Sequence, residues 1–477
     1  MGELKQRVLK NVGYNLTNTL ILKFGAFLFT IIVARLLQPE LFGLYSLALT
    51  IGIIAIGLAD AGVNATLIYF VSSALGKNQK SMARGYFSFL LKFKILLSVI
   101  IAISIFSLSK IISESIFHKP ELTPLLKIIA VYIIFQSLFE FFKASFYAIQ
   151  KLKYITITQS IFQTLKLMIV SILLILGYSV FGAITGLLIS TIIATIILFI
   201  FFYKKCHFFM EEGIKKINKK RVLKYFSYLL IISLSGIFFG YVDIVMIGAL
   251  LPSIEVGFYK AAQAIVFSVA ALLSVTGVLL PVFTQLDEEK LKTMFQKTFH
   301  YSAMVSIPAA FGLIFISKQF IEIIYGIEYL PAAIVLIPLS LLVIVQATGS
   351  FFSNIFAAKE KLKWPAIIMI IATILNITLN YSMILAYGIL GAAIATVISS
   401  YFNAISLGIL ARKKIGIKIQ FNSILKPMVA TTVMVGFLIW FNGYFGLIFP
   451  LSIIEIILAT IIYFITLFLI KGIKLKQ

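Results

Sequence analysis

Uninterrupted apolar stretches long enough to cross a bilayer recur from one end of the chain to the other, and this feature decides which solvent the fold must satisfy. A helix needs about 20 apolar residues to span a hydrocarbon core ~30 Å thick, and in lipid every backbone N–H and C=O must be paired internally. Strands of a membrane barrel would alternate polar and apolar residues over ~10-residue segments, a pattern these stretches lack. Composition agrees. Hydrophobic residues make up 61% and charged residues 12%, with a mean hydropathy of +1.08, against roughly 45–50% and about 25% in soluble chains. The chain reads as an all-α polytopic membrane protein.

Charged or Gly/Pro-marked connectors divide it into fourteen expected spans. These are residues 13–37, 42–70, 86–108, 124–149, 154–177, 180–203, 223–251, 255–286, 300–324, 331–357, 364–386, 389–411, 424–446 and 449–470. Residues 1–12 are amphipathic and charged, and the run after them is too long for the apolar region of a cleavable signal, so the first span is expected to stay attached.

Connectors on one side are basic. They include Lys5/Arg7/Lys10, Lys77/Lys80/Arg84, Lys151/Lys153, the 204–224 loop, Lys359/Lys361/Lys363, the 412–426 loop and Lys471/Lys474/Lys476, whereas the other side holds only Arg35, Lys110, Lys119 and Lys318. Cytoplasmic loops carry the Lys/Arg excess, which places both termini in the cytoplasm of a multi-pass protein of the plasma membrane. The net +24 is therefore mostly topology, dispersed over short loops, and nucleic acid is not an expected partner. A single cysteine, Cys206, excludes a disulfide within the chain, and His118, His207 and His300 lie far apart. No metal or cofactor is expected.

The chain also repeats. Lys151-Leu152-Lys153-Tyr154 recurs as Lys361-Leu362-Lys363-Trp364 at an offset of 210, and Gly43-Leu44-Tyr45 as Gly257-Phe258-Tyr259 at an offset of 214. The implied unit is six helices, an even number that returns the chain to its starting side, so the halves are expected to be parallel repeats about an axis along the membrane normal. The expected organisation is an N-lobe over 1–203, a basic cytoplasmic linker over 204–222, a C-lobe over 223–411, and two further helices with a tail over 412–477.

Ala34-Arg35-Leu36-Leu37-Gln38-Pro39-Glu40-Leu41-Phe42-Gly43-Leu44-Tyr45, followed by Gly57-Leu58-Ala59-Asp60-Ala61-Gly62, resembles the polysaccharide-repeat-unit flippases of the multidrug/oligosaccharidyl-lipid/polysaccharide exporter superfamily. The resemblance runs over nearly the whole chain. It implies two six-helix lobes around a central cavity plus two extra helices, and a cargo of undecaprenyl- or dolichyl-linked oligosaccharide. Membrane lipids, and other polysaccharide assembly proteins, would be partners.

Such a cargo is anionic at its diphosphate and polar in its sugars, so a hydrated cavity with cationic anchors is required. Polar stripes at helical spacing supply candidates. Asn15, Thr19 and Lys23 lie on the first span, Ser46, Thr50, Asp60 and Asn64 on the second, Gln159, Gln163 and Lys166 on the fifth, Asp243 on the seventh, Lys260 and Gln263 on the eighth, and Asn376 and Asn380 on the eleventh. Lys23, Lys166, Lys260 and Arg35 are the expected cationic anchors. Asp60 and Asp243 are the carboxylates expected to take a coupling ion, sodium or proton, and the uncharged residues line the cavity. Each charge has a plainer alternative. Lys260 and Arg35 lie near the outer interface, where long side chains snorkel; Asp60 could close a helix end before Gly62; Glu140 and Lys143 form a structural i,i+3 pair; Glu455 anchors at the interface; and at most one of Lys92 and Lys94 faces inward.

A multidrug or cation antiporter shares the twelve-helix core, but its often cationic cargo calls for carboxylates, which the buried lysines outnumber. A membrane-embedded polymerase or glycosyltransferase needs a sizeable catalytic loop, and the 109–123 connector is too short for one, so no enzyme is expected. The chain has no Gly-x-x-x-x-Gly-Lys-Ser/Thr loop. An ion gradient or membrane potential is the expected drive, with alternating access by rocking of the lobes.

Overall fold

The structure, a computed structural model, describes residues 2–209, 211, 217–273, 288–359, 361, 363–417, 420–445 and 451–472, with side chains described from residue 22 onward except at 228, 231, 232, 288, 350, 357, 358, 445 and 451–453. Among these residues the fold is wholly helical. Ten helices are long and apolar enough to cross a membrane, or eleven if the bent pair Ala332–Ser340 and Leu342–Phe356 is one span.

Two very long helices contain breaks where the sequence predicts connectors. Helix α1, Gly2–Asp60, is interrupted at Gln38 (φ 63, ψ 166), because the residue before a proline is pushed out of the α region and Pro39 offers no N–H to the preceding turn. Lys363–Ile415 is interrupted at Gly388 (φ 59, ψ −140), a backbone region open to glycine alone.

Three expected spans are corrected. The 42–70 span ends at Asp60 and restarts as α2, Val63–Gly76, because Ala61 and Gly62 take positive φ. At Gly62 a Cβ would lie 2.6 Å from Leu229 Cβ, so the turn fits closely against a neighbouring helix. The 331–357 span is three pieces, Ala332–Ser340, Leu342–Thr348 and Ser350–Ala358, with Pro338 and Gly349 at the weak points. The 300–324 span is broken at Ile316. Residues 274–286 of the expected 255–286 span lie outside the described residues.

Contacts divide the chain into Met1–Gly257 and Phe258–Gln477. In the first unit α1 and α2 are followed by α3 (Lys80–Ile111), α4 (Leu122–Ala148), α5 (Leu152–Ile175), α6 (Ser179–Lys205), α7 (Lys219–Leu250) and the first turn of α8 (Ser253–Leu273). The division by contacts falls at Gly257, in the first turns of α8. Helix α7 joins the first unit through close contacts. A Cβ at Gly57 would lie 2.3 Å from Ile237 Cδ1, and one at Gly248 2.5 Å from Leu47 Cδ1. Lys119 adds a staple, its Nζ donating to the carbonyls of Gly248 (2.6 Å) and Leu251 (3.0 Å) at the end of α7, and to that of Phe117 (3.2 Å). A cation there also meets the negative pole of the helix. Burial holds this ammonium below the usual lysine range, with Glu121 opposing the shift.

A close helix crossing in this unit joins two sequence-repeat mates. A Cβ at Gly43 would stand 1.7 Å from the Ser253 carbonyl oxygen, and one at Gly257 would stand 2.0 Å from that of Pro39. Backbone therefore meets backbone where α8 crosses the second arm of α1.

The start of the linker folds back on the unit. Phe209 is buried, packing tilted on Phe87 (4.6 Å between centroids) and stacked on Phe202 (5.7 Å), and Cys206 is fully buried. Burial pushes the Cys206 thiol up to about 11, with Lys151 working weakly the other way. Since the thiolate is the reactive form, Cys206 should resist maleimide in native membranes from either side, reacting at pH 7.5 at least ~100-fold slower than a free cysteine, and should label fully after unfolding in detergent. Comparing labelling before and after denaturation checks this, and rapid native labelling would contradict the burial.

The second unit contains the rest of α8, then α9 (Glu288–Phe315), α10 (Ser317–Tyr325), α11 to α13 (the three pieces named above), α14 (Lys363–Ile415), α15 (Asn422–Phe445) and α16 (Leu451–Leu469). Leu291, Phe295, Phe299, Ala303 and Ile307 form an i,i+4 stripe on α9 that meets Phe351, Phe352, Ile355 and Phe356 on α13. Between helices in lipid such cohesion comes from close packing, since the tails are as apolar as the side chains. Ala430, Met434 and Leu438 on α15 join Ala459, Tyr463 and Leu467 on α16 in a second cluster. Pro308 lies inside α9 and lacks the N–H that would pair with the Met304 carbonyl. Tyr463 of α16 supplies the donor, its Oη standing 2.5 Å from that oxygen.

Candidate functional site

Spacing on α5 puts Thr156, Gln159, Gln163 and Lys166 on one face, all four buried. The partner face is on α1, one helical turn presenting Gly25 and then Phe29. A Cβ at Gly25 would be 3.3 Å from Gln163 Cδ, so the glycine lets that side chain approach. The Phe29 ring faces Lys166, whose Nζ lies 4.3 Å from its centroid and 5.6 Å from that of Phe162. Phe162 is in turn buttressed by Phe139 of α4 at 5.6 Å. Lys166 is 7% exposed. A buried ammonium costs several kcal/mol unless compensated, and an aromatic face returns about 0.5–2 kcal/mol without cancelling the charge.

Two other lysines of this unit, Lys94 and the half-buried Lys143, are treated differently. Lys94, fully buried, donates to Asp60 Oδ1 at 2.7 Å, and Lys143 meets Glu140 at 2.9 and 3.0 Å, with Gln136 adding a 3.2 Å bond to the same carboxylate. These are neutral pairs. Lys92 is exposed, so one of the 92/94 lysines faces inward, and the Glu140–Lys143 pair is the structural one anticipated. Asp60 also accepts the Asn64 N–H at 3.3 Å across the α1/α2 break, so it closes a helix end as well as holding Lys94.

The second-span stripe is occupied by its own helix. Ser46 and Thr50 are buried, and Thr50 donates to the Ser46 carbonyl at 2.8 Å. Asn64 is half-buried with its Oδ1 lacking a hydrogen-bond partner. Lys23 is half-buried, Arg35 is exposed, and Asp243 is 2% exposed with its Oδ1 accepting the Ile244 N–H at 2.8 Å. The side chains of Asn15 and Thr19 lie outside the described residues.

In the second unit Lys260 donates to Gln263 at 3.1 Å one turn along α8. Asn376 and Asn380 are buried on α14, where Asn380 Nδ2 donates to the Asn376 carbonyl at 2.9 Å while both Oδ1 atoms lack partners. The Oε1 atoms of Gln159 and Gln163 are in the same condition in the first unit. At the offset of 210, Asn376 is the counterpart of Lys166. Buried amide oxygens left this way each cost about 1–3 kcal/mol.

Each unit contains a cavity among its described residues. A recess of about 610 Å³ in the first unit is lined by Glu40, His118, Lys119 and Glu121 among others. An apolar groove of about 310 Å³ in the second runs between α9, α15 and α16 past Pro308, Met434 and Tyr463. Neither is lined by Lys23, Arg35, Lys166 or Lys260. Three features escaped the sequence: the Phe29 face, the Lys94 partner of Asp60, and Glu455. Glu455 is fully buried with neither carboxylate oxygen hydrogen-bonded, which corrects its expected place at the interface. Its position one turn before Ala459, on the side of α16 facing α15, was the available signal.

A family model described as polysaccharide biosynthesis protein matches residues 32–334, and a second, described as lipid II flippase MurJ, matches residues 258–460. Among relatives, a "Probable low-salt glycan biosynthesis flippase Agl15" of Haloferax volcanii is 27% identical over 235 residues, 48% of this chain and 50% of that protein. The alignment thus spans about half of that relative. A membrane protein of the cps region of Klebsiella pneumoniae is 23% identical over 474 residues, 98% of this chain and 96% of that one. Among solved structures, the inward closed conformation of the lipid II flippase MurJ superposes with a TM-score of 0.78 at 17% identity, covering 95% of this chain and 98% of that one. At that identity the likeness is one of fold.

Proposed function

Because this chain belongs to the polysaccharide biosynthesis protein family, we propose that it is a flippase moving a polyprenyl-diphosphate-linked oligosaccharide across the cytoplasmic membrane. The flippase names of the Haloferax relative and of the MurJ model and structure support the reading. The observation that carries it is Lys166, an ammonium buried against aromatic rings where neighbouring lysines are neutralised by carboxylates. A charge kept in reserve at low dielectric suits a diphosphate. Gln159, Gln163, Asn376 and Asn380 offer acceptors to sugar hydroxyls, and Lys23, Lys260 and Arg35 extend the cationic set.

Transport proceeds by alternating access of the 1–203 and 223–411 lobes, driven by an ion gradient or the membrane potential. Asp243 and Asp60 are the carboxylates for the coupling ion. An ion at Asp60 has to displace an ammonium already seated there.

Transport of lipid-linked oligosaccharide into proteoliposomes tests the anchor. A charge-assisted contact is worth roughly 1.5–3 kcal/mol, so Lys166→Gln, and likewise Lys23→Gln, should weaken cargo capture about ten- to a hundredfold while insertion persists. Lys166→Arg should retain more activity. Full activity in both glutamine variants would remove the cationic mechanism. Orientation has its own check: with Cys206→Ala as background, Lys205→Cys at an exposed position should label with an impermeant maleimide only after lysis. Labelling in intact cells would place the 204–222 linker outside.

A further inference from the structure

We propose that Phe29 is a positioning residue of the anion anchor: its ring holds the Lys166 ammonium in place while leaving its charge uncancelled, so that the cation can engage a diphosphate. The inference rests on the flippase reading and deepens it. Three lysines of the first unit make the contrast, Lys94 and Lys166 buried and Lys143 half-buried. Lys94 has the Asp60 carboxylate at 2.7 Å and Lys143 has that of Glu140 at 2.9 Å, and each pair is neutral as seen by any ligand. Lys166 has rings in that place, Phe29 at 4.3 Å and Phe162 at 5.6 Å.

The difference matters because of what each partner does to the field. A carboxylate in contact with an ammonium sums with it to a dipole, and a diphosphate would have to break the pair to bind. A ring quadrupole stabilises the cation while leaving its monopole field intact. The ring also covers one side of the ammonium only, so N–H donors stay available for phosphate oxygens, and the ring contact survives when they are used. Phe29 is itself fixed, 8% exposed on α1, with Gly25 one turn earlier seated on Gln163. Phe162 is fixed by Phe139. The anchor is thereby pre-positioned before cargo arrives, which lowers the ordering cost of capture.

Binding of two probes, inorganic pyrophosphate and farnesyl diphosphate, to the purified full chain in detergent tests this by calorimetry, with thermal unfolding of each variant as the folding control. Phe29→Leu should weaken both probes about 3- to 30-fold, the factor equivalent to one cation–π contact. Phe29→Tyr and Phe29→Trp should restore wild-type binding, since each keeps a face. Phe29→Glu should abolish binding, because it places a carboxylate beside Lys166 as Asp60 is placed beside Lys94. Unchanged or tighter binding in Phe29→Leu, or loss in Phe29→Trp equal to that in Phe29→Leu, would overturn the positioning role, the latter by showing that packing alone is at work. Lys166→Gln separates the two levels. If it binds pyrophosphate as the wild type does, the anchor itself falls; if it loses binding while Phe29→Leu keeps it, only the role of Phe29 falls. Tight binding of farnesyl diphosphate with none of pyrophosphate would place recognition in the isoprenoid and overturn the proposal.

Discussion

Asp60→Asn is expected to lower the thermal unfolding midpoint in detergent by about 6–12 °C. Removing one partner of a buried ion pair costs about 3–5 kcal/mol, because the remaining charge is left in a low-dielectric site. Lys94 is that charge, fully buried with its Nζ 2.7 Å from Asp60 Oδ1. Asp60 keeps 30% exposure, which puts the cost near the lower end, about 3 kcal/mol, at ~2–4 °C per kcal/mol for a domain of this size. Asparagine retains an Oδ1 to accept the Asn64 N–H, so the substitution isolates the pair from the helix cap. Adding Lys94→Met should recover most of the loss, since an apolar pair of similar volume is often neutral in such a site. Unaltered stability would refute the buried pair, and an altered dependence on the ion gradient in the same variant would support the coupling role proposed for Asp60.

Gly43→Ala and Gly257→Ala should each destabilise the protein by about 3 kcal/mol or more, beyond the usual 1–3 kcal/mol of an overpacked core. Ordinary overpacking is relieved by rotating side chains, but here the added methyl meets backbone, the Ser253 carbonyl at 1.7 Å in one case and that of Pro39 at 2.0 Å in the other. The helices themselves must separate. Both substitutions disturb one crossing, so the double variant should lose less than the sum of the two. Gly76→Ala is the control: nothing lies within 4 Å of its added Cβ, and a helical Gly→Ala change is neutral or stabilising by up to about 1 kcal/mol. Unfolding midpoints and detergent-stable yield would show the order, and a tolerated Gly43→Ala would refute the close crossing.

What the sequence made legible was local or periodic. The break at Gln38 follows from Pro39, the break at Gly388 from glycine in a long apolar run, and the Glu140–Lys143 pair from i,i+3 spacing on one helix. The interruption at Ala61-Gly62 was signalled by Asp60 and Gly62 yet overridden by the unbroken hydrophobicity around it. What stayed hidden depended on packing between distant segments. Lys94 lies 34 positions from Asp60, and Phe29 lies on a different helix from Lys166, so no spacing rule could pair them. Gly43 and Gly257 were recognised as repeat mates, but their mutual contact is a property of the assembled helices. The linker reads as a basic cytoplasmic segment, whereas its first turn is fixed by Phe209 against Phe87 and Phe202, and its Cys206 thiol is buried.

The hydrogen bond from Tyr463 to the Met304 carbonyl bears on how such chains can be inherited. Proline at 308 leaves a carbonyl inside the hydrocarbon that its own helix cannot satisfy, and the donor comes from the last helix. The two positions are therefore tied across 154 intervening residues. A descendant that discards the terminal helix keeps an unpaired acceptor in lipid unless it first replaces the proline with a residue bearing an amide hydrogen. Natural chains ending before this helix should accordingly carry a non-proline at the place of Pro308, and a laboratory truncation after residue 445 should be tolerated better with Pro308→Ala than without it.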